Sequence, residues 1–232
     1  MIRLHVEADL NPGAPIAASE GQAHYLGSVM RRAVGAPVRL FNGRDGEWAA
    51  RIVSLSRGKA SFAAETQVRP QAGDLDLWLM FAVLKRDTTD LVVQKATELG
   101  VSRLIPVFTE RTNAGRVNLD RLRSIAIEAA EQSERLTVPD VSPARQLHES
   151  LAAWPAERPL FVALERADAQ KLTPEPGPAG LLIGPEGGFG PRDHTMLDRC
   201  RFVRPVSLGP RILRAETAAI VGLALLQAPG CG

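Results

Sequence analysis

Leu181-Leu182-Ile183-Gly184-Pro185-Glu186-Gly187-Gly188-Phe189-Gly190 and Ser207-Leu208-Gly209-Pro210-Arg211-Ile212-Leu213-Arg214-Ala215-Glu216-Thr217-Ala218 share one pattern: a short apolar run broken by Gly and Pro, then a helix-like segment. Two strand ends of this kind, about twenty residues apart, can set bare backbone at one edge of a sheet. Main-chain N–H and C=O groups there suit a small polar ligand. Neither familiar phosphate loop fits. After Gly188-x-Gly190 a dinucleotide fingerprint needs a third Gly where Asp193 stands, and a P-loop needs Lys-Ser/Thr where Pro191-Arg192 stand. There is no Gly-x-Ser-x-Gly elbow and no His-Glu-x-x-His. The four histidines (5, 24, 148 and 194) lack partners at ligand spacing, so no metal is expected and they read as surface or packing residues.

Outward from these loops the chain alternates strand and helix. Leu75–Leu84 is almost wholly apolar, as in a parallel strand covered on both faces. Thr88–Leu99 reads as a helix stopped by Gly100, Leu104–Phe108 as a strand, and Asn118–Ser133 as a helix. Leu160–Leu164, Gly180–Ile183 and Phe202–Val206 are further strands, and Arg211–Gln227 is a final helix. The Pro-rich stretch 137–159 is expected to be loop around one short helix. This alternation predicts an α/β sheet with helices on both faces. The N-terminal part differs. Ile2, Leu4 and Val6 alternate as in a strand, Ser19–Gln22 has capping-box spacing, and a helix to about Arg32 is closed by Gly35. Val38–Phe41, Trp48–Leu55 and Ala60–Ala64, separated by Gly-bearing turns, form a meander, which predicts a small antiparallel sheet or barrel. The expected division is 1–68, a linker at 69–74, and 75–232.

With 232 residues, 45% hydrophobic and 23% charged, the chain has the balance of a globular protein with an ample core. No run of eighteen apolar residues exists and the N-terminus lacks a signal-peptide core, so no membrane partner is expected. Two cysteines, Cys200 and Cys231, suit a reducing cytoplasm, the expected location. Four of the 28 basic residues are Lys, leaving 24 Arg, the better fork for phosphate; with a net charge of +2, charge alone decides nothing.

Together the two loops resemble the knotted SPOUT class of S-adenosylmethionine-dependent RNA methyltransferases. Within it they are similar to the family (RsmE) that methylates uracil N3 in small-subunit ribosomal RNA. Gln94–Val101, Pro106–Arg111 and Ala129–Arg135 match that family in order, as do His24, Met30-Arg31 and Gly35 nearer the N-terminus. The resemblance implies an α/β C-terminal methyltransferase domain with a trefoil knot and a small N-terminal PUA-like β-barrel that binds RNA. Two positions depart from the family: Gly190 stands where a small hydroxyl residue is usual, and Ala215 where Thr is usual.

By this resemblance the cofactor is S-adenosylmethionine, held by Leu164, Gly184, Glu186, Gly188, Val206, Leu208, Gly209, Ile212 and Leu213. Adenine needs an apolar slot with backbone donors and acceptors, which these residue types can form. Uracil N3 carries a proton at neutral pH, so its anion must be stabilised for methyl transfer. Arg214 is the candidate charged donor to a flanking carbonyl oxygen, with Glu216 orienting it or taking the proton. The alternative for this pair is an ion pair at a helix start. RNA contact is expected from Arg31, Arg32, Arg111, Arg116 and Arg135. Ile220, Leu223 and Leu226 would be core or, as the family implies, a homodimer surface. Two other functions stay open: methylation of another base or a ribose 2′-hydroxyl, and a non-catalytic RNA-binding factor in ribosome assembly.

Overall fold

The computed structural model describes residues 1–13, 15–113, 115–164 and 169–228. They form two compact units, Met1–Gly73 with Ala130–Val138, and Asp74–Ala129 with Pro139–Gly232.

In the first unit the elements are β1 (Arg3–His5), β2 (Pro15–Ala17), α1 (Glu20–His24), β3 (Pro37–Phe41), β4 (Glu47–Ser56) and β5 (Lys59–Arg69). Their sheet runs β1-β3-β4-β5-β2, with β1 parallel to β3 and the other pairs antiparallel. The alternation of Ile2, Leu4 and Val6 puts all three into one core with Val38, Leu40, Ile52 and Phe62. Ser19 caps α1: its Oγ accepts from Gln22 N at 3.2 Å, while Gln22 Oε1 accepts from Ser19 N at 3.0 Å. The helix does not run to Arg32 as expected. It turns into a single π turn over Tyr25–Val29 and ends at Met30, with Arg31 at φ 49°. Gly21 and Gly27 in this short segment weaken the α register. β5 runs on to Arg69, into the stretch expected to be linker.

Residues 130–138 have no counterpart in the sequence reading of this unit, and Arg3 explains their place. Its guanidinium donates to the carbonyls of Ala130 and Glu131 at 3.0 Å each and of Arg135 at 2.8 Å. It also pairs with buried Glu47 and lies 4.5 Å from the Phe41 ring centroid. A buried charge is thereby surrounded by acceptors, as burial demands.

The second unit contains β6 (Leu77–Ala82), α2 (Arg86–Glu98), β7 (Arg103–Phe108), α3 (Leu119–Gln132, whose last turn belongs to the first unit), β8 (Asp140–Val141), β9 (Arg145–Gln146), α4 (Leu147–Ala152), β10 (Leu160–Ala163), β11 (Ala179–Ile183), α5 (Pro191–Asp198), β12 (Val203–Val206) and α6 (Ala215–Gln227). All its strands pair in parallel, in the order β12-β10-β11-β6-β7-β8, with β9 also on β7. One face of the sheet, with Met80, Val162 and Leu182, packs against Leu147 and Leu151 of α4 and Leu197 of α5. On the other face α6 lies against β11, closely enough that a Cβ on Gly222 would sit 2.6 Å from Leu181 Cδ2. Cover on both sides is why these strands read as unbroken apolar runs. To reach β12 from β11 the chain crosses β10, and α6 then returns over β11. That path is consistent with the trefoil threading the resemblance implies.

The short strands β8 and β9 lie in the stretch expected to be loop; two residues carry no readable alternation. Helix α6 starts at Ala215, not Arg211, because Gly209-Pro210 and the three residues after them form an extended loop. Leu223 and Leu226 are 0% and 3% exposed, so within one chain they are core.

Candidate active site

Since β10, β11 and β12 are parallel neighbours, their C-terminal ends lie at one edge of the sheet. The loops that follow them, with Lys85 after β6 and Arg111 after β7, surround a cavity of about 1390 Å³. Open α/β sheets characteristically hold ligands at this edge. Two of the loops are hydrogen-bonded to each other: Ser207 N donates to Gln170 O at 2.9 Å and Leu172 N to Ser207 O at 3.1 Å. The turn at Pro185–Gly188 is closed by Gly188 N donating to Pro185 O at 2.9 Å. Gly188 (φ 67°) and Gly209 (φ 123°) take backbone conformations that side chains disfavour, one in each loop.

Eight of the nine residues expected around a cofactor line this cavity: Leu164, Gly184, Glu186, Gly188, Leu208, Gly209, Ile212 and Leu213. Val206 does not. It is 5% exposed beneath the floor, where its carbonyl accepts from Leu164 N at 3.2 Å. Arg214 also lines the cavity; it is exposed and serves as the N-cap residue of α6, with φ −64° and ψ 155°. The extended cap conformation turns Arg214 out of the helical path, whereas Glu216 lies within the first turn and does not line the cavity. Among the described residues neither side chain forms a hydrogen bond or ion pair, so neither the orienting contact nor the helix-start ion pair is made here. Lys85, Lys171, Arg211 and His194 line the cavity without having been singled out in the sequence. Their one sequence signal is position: the first three follow the ends of β6, β10 and β12.

The glycine loop is braced from the side by the turn after β7. Asp193, 1% exposed, accepts from Gly190 N at 2.9 Å and from Glu110 N at 3.2 Å. Glu110 Oε2 accepts from Arg192 N at 3.0 Å, and Arg111 Nη1 donates to Gly187 O at 2.8 Å. A Cβ at Gly190 would run into the Glu110 side chain. That accounts for the departure at this position. The start of α5 has Pro191 as its first residue and takes its acceptors from Asp193 and Glu110, so no hydroxyl is needed at the cap.

The arginines expected at RNA divide. Arg31, Arg32 and Arg116 are exposed. Arg111 is exposed at the cavity wall and tied to the glycine loop. Arg135 must be corrected: it is 8% exposed, its Nη2 donates to Thr137 Oγ1 at 3.0 Å, and its carbonyl receives Arg3. A buried guanidinium with these contacts is a packing residue of the first unit.

Residues 71–227 match the family model of an RNA methyltransferase domain, and residues 19–64 that of an RNA methyltransferase PUA domain. A Rickettsia conorii protein named ribosomal RNA small subunit methyltransferase E is 32% identical, over 98% of this chain and 96% of its own. The chain belongs to the ribosomal RNA small subunit methyltransferase E family. A Synechocystis member is also 32% identical, over 93% of this chain and 73% of its own. The Neisseria gonorrhoeae methyltransferase E, solved bound to S-adenosyl methionine, superposes with a TM-score of 0.87 at 30% identity, covering 97% of this chain and 95% of that one. A Legionella pneumophila protein solved with the cofactor SAM gives a TM-score of 0.88 at 28% identity, covering 98% and 97%. Both superpositions extend over nearly the whole of this chain.

Proposed function

We propose that this protein methylates small-subunit ribosomal RNA with S-adenosylmethionine, at N3 of a uracil, from the cavity at the C-terminal edge of its parallel sheet. The observation that carries the reading is the meeting of the loops after β10, β11 and β12 around one space, with Arg214 on its wall. Leu164, Leu208, Ile212 and Leu213 offer an apolar slot for adenine, and the Gly184–Gly188 and Gly209 backbone offers donors and acceptors for the polar ends. At about 1390 Å³ the space exceeds the ~300–1,000 Å³ of common small-ligand pockets, which leaves room for an acceptor base.

Bound there, S-adenosylmethionine would supply an electrophilic sulfonium methyl. The protein's part is to bring an unpaired uracil in line and to stabilise the charge left when N3 loses its proton. Arg214 is the residue assigned to that charge: its guanidinium would donate to a uracil carbonyl oxygen as negative charge gathers there. Glu216 does not line the cavity, so the N3 proton is assigned to solvent water at the cavity mouth. Arg31, Arg32 and Arg116 are assigned to the RNA backbone, and Arg111 to bracing the glycine loop, with backbone contact secondary. The work would take place in the cytoplasm, by a homodimer whose contact does not use Leu223 and Leu226.

Isolated small subunits from a strain lacking the gene, incubated with labelled donor and the protein, should gain one methyl on a uracil. The modified base should stop primer extension and appear as 3-methyluridine in a nucleoside digest. A 2′-O-methyl nucleoside would redirect the assignment to ribose chemistry. Cofactor binding without any methylation would favour an assembly factor.

A further inference from the structure

We infer that the charge of this cavity is matched to the acceptor strand and opposed to the methyl donor, so that RNA and S-adenosylmethionine bind cooperatively. The inference rests on the proposed methyltransferase reading. Among the described residues five cations line the cavity, Lys85, Arg111, Lys171, Arg211 and Arg214, against one carboxylate, that of Glu186. All five are exposed, and among the described residues none forms an ion pair. The one hydrogen bond any of their side chains makes there, Arg111 to Gly187 O, leaves its charge uncompensated.

The donor bears an ammonium, a carboxylate and a sulfonium, a net charge of +1. Its product after methyl transfer has lost the sulfonium charge and is neutral overall. A surplus of lining cations therefore disfavours the donor relative to the product. Distance does not remove this effect: a sphere of the cavity's volume has a radius of roughly 7 Å, so a ligand at its centre lies within the Debye length of ~8 Å at physiological salt from the wall. Low-dielectric walls also focus the field into such a space. A phosphate of the acceptor strand drawn among these side chains would cancel much of the surplus. The strand would then strengthen donor binding, and by linkage the donor would strengthen strand binding by the same factor. Once methyl transfer has removed the sulfonium charge, the coupling weakens, which favours release of the modified strand.

Titration calorimetry on the full chain tests this with three ligands: S-adenosylmethionine, S-adenosylhomocysteine, and sinefungin, whose amine restores a positive charge near the sulfonium position. At low salt the neutral homocysteine product should bind about tenfold more tightly than either cationic ligand. The gap should close to about twofold in ~0.5 M salt, where the Debye length is only a few Å. It should also close in the Lys171→Ala/Arg211→Ala variant, and when a short unpaired RNA strand is present. A strand with an uncharged methylphosphonate backbone should leave it open. Equal affinities at low salt, or a gap indifferent to salt and RNA, would overturn the inference; the salt and RNA arms need no variant to fold. If none of the three ligands binds, the methyltransferase reading itself fails.

Discussion

Arg214 occupies the joint between an extended loop and α6, a place where backbone and charge both bear on the cavity. No bond to another described side chain holds its guanidinium, so it is available to a ligand. Arg214→Ala should reduce single-turnover methylation about 10²–10³-fold, the usual effect of losing one donor to a developing anion, with donor affinity little changed. Near-normal chemistry in that variant would remove Arg214 from the mechanism. Asp193 makes a different kind of contribution. Its buried carboxylate accepts two backbone N–H groups that have no other acceptor in view. Asp193→Ala should therefore destabilise the protein by about 2–4 kcal/mol, as two buried donors lose their acceptor. Asp193→Asn, which keeps one oxygen, should lose less; urea unfolding compares the two. Sequence inspection marks Arg214 because it lies in a motif. It does not mark Asp193, since a helix-start carboxylate looks the same whether or not it reaches another loop.

Among the elements, β1 combines a capping role with a pH response. Arg3 at its start donates to three carbonyls at the end of α3 and just beyond it, the capping that a helix C-terminus favours. Arg3→Met should cost about 3–5 kcal/mol, because buried Glu47 loses its close partner and keeps only the 3.9 Å contact with half-exposed Arg69. Adding Glu47→Leu should recover much of that loss; failure to do so would point to the carbonyl bonds as the larger contribution. His5 ends the same strand, edge-on to Phe41 with ring centroids 5.5 Å apart. Burial holds its pKa below the ordinary 6.5, with nearby Glu7 opposing the shift and Arg44 adding to it. With the folded value below the unfolded one, the unfolded chain binds the proton first as pH falls. The stability from neutral His5 is thus complete above pH 6.5 and is lost as pH drops through the folded pKa. Melting temperatures should decline across that window, and His5→Gln should flatten the decline. Element limits were readable to within two residues where pattern was long, as in β6 and α2. They were misread at the π turn after α1 and at the start of α6, where glycine or a ligand loop overrides periodicity.

At the level of the complete chain, the site exists because strands remote in sequence end side by side. Saturation with donor product at a hundred times its Kd should stabilise the folded protein by about 2.7 kcal/mol, measurable as a higher melting temperature. No shift at that concentration would mean that the folded protein does not bind donor product selectively. Sequence patterning alone was enough to establish the long elements of the second unit, the parallel α/β class, the two glycine bends and the family they resemble. Each depends on local chemistry: apolar spacing, Gly and Pro punctuation, capping residues. Only the tertiary structure decided that Arg135 turns inward to the first unit, that Val206 lies beneath the cavity floor, and that Lys85, Lys171, Arg211 and His194 reach the cavity. Apolar spacing encodes which side of an element is buried. Where a polar side chain ends up depends on the order β12-β10-β11-β6, which is set by packing between residues far apart in the chain.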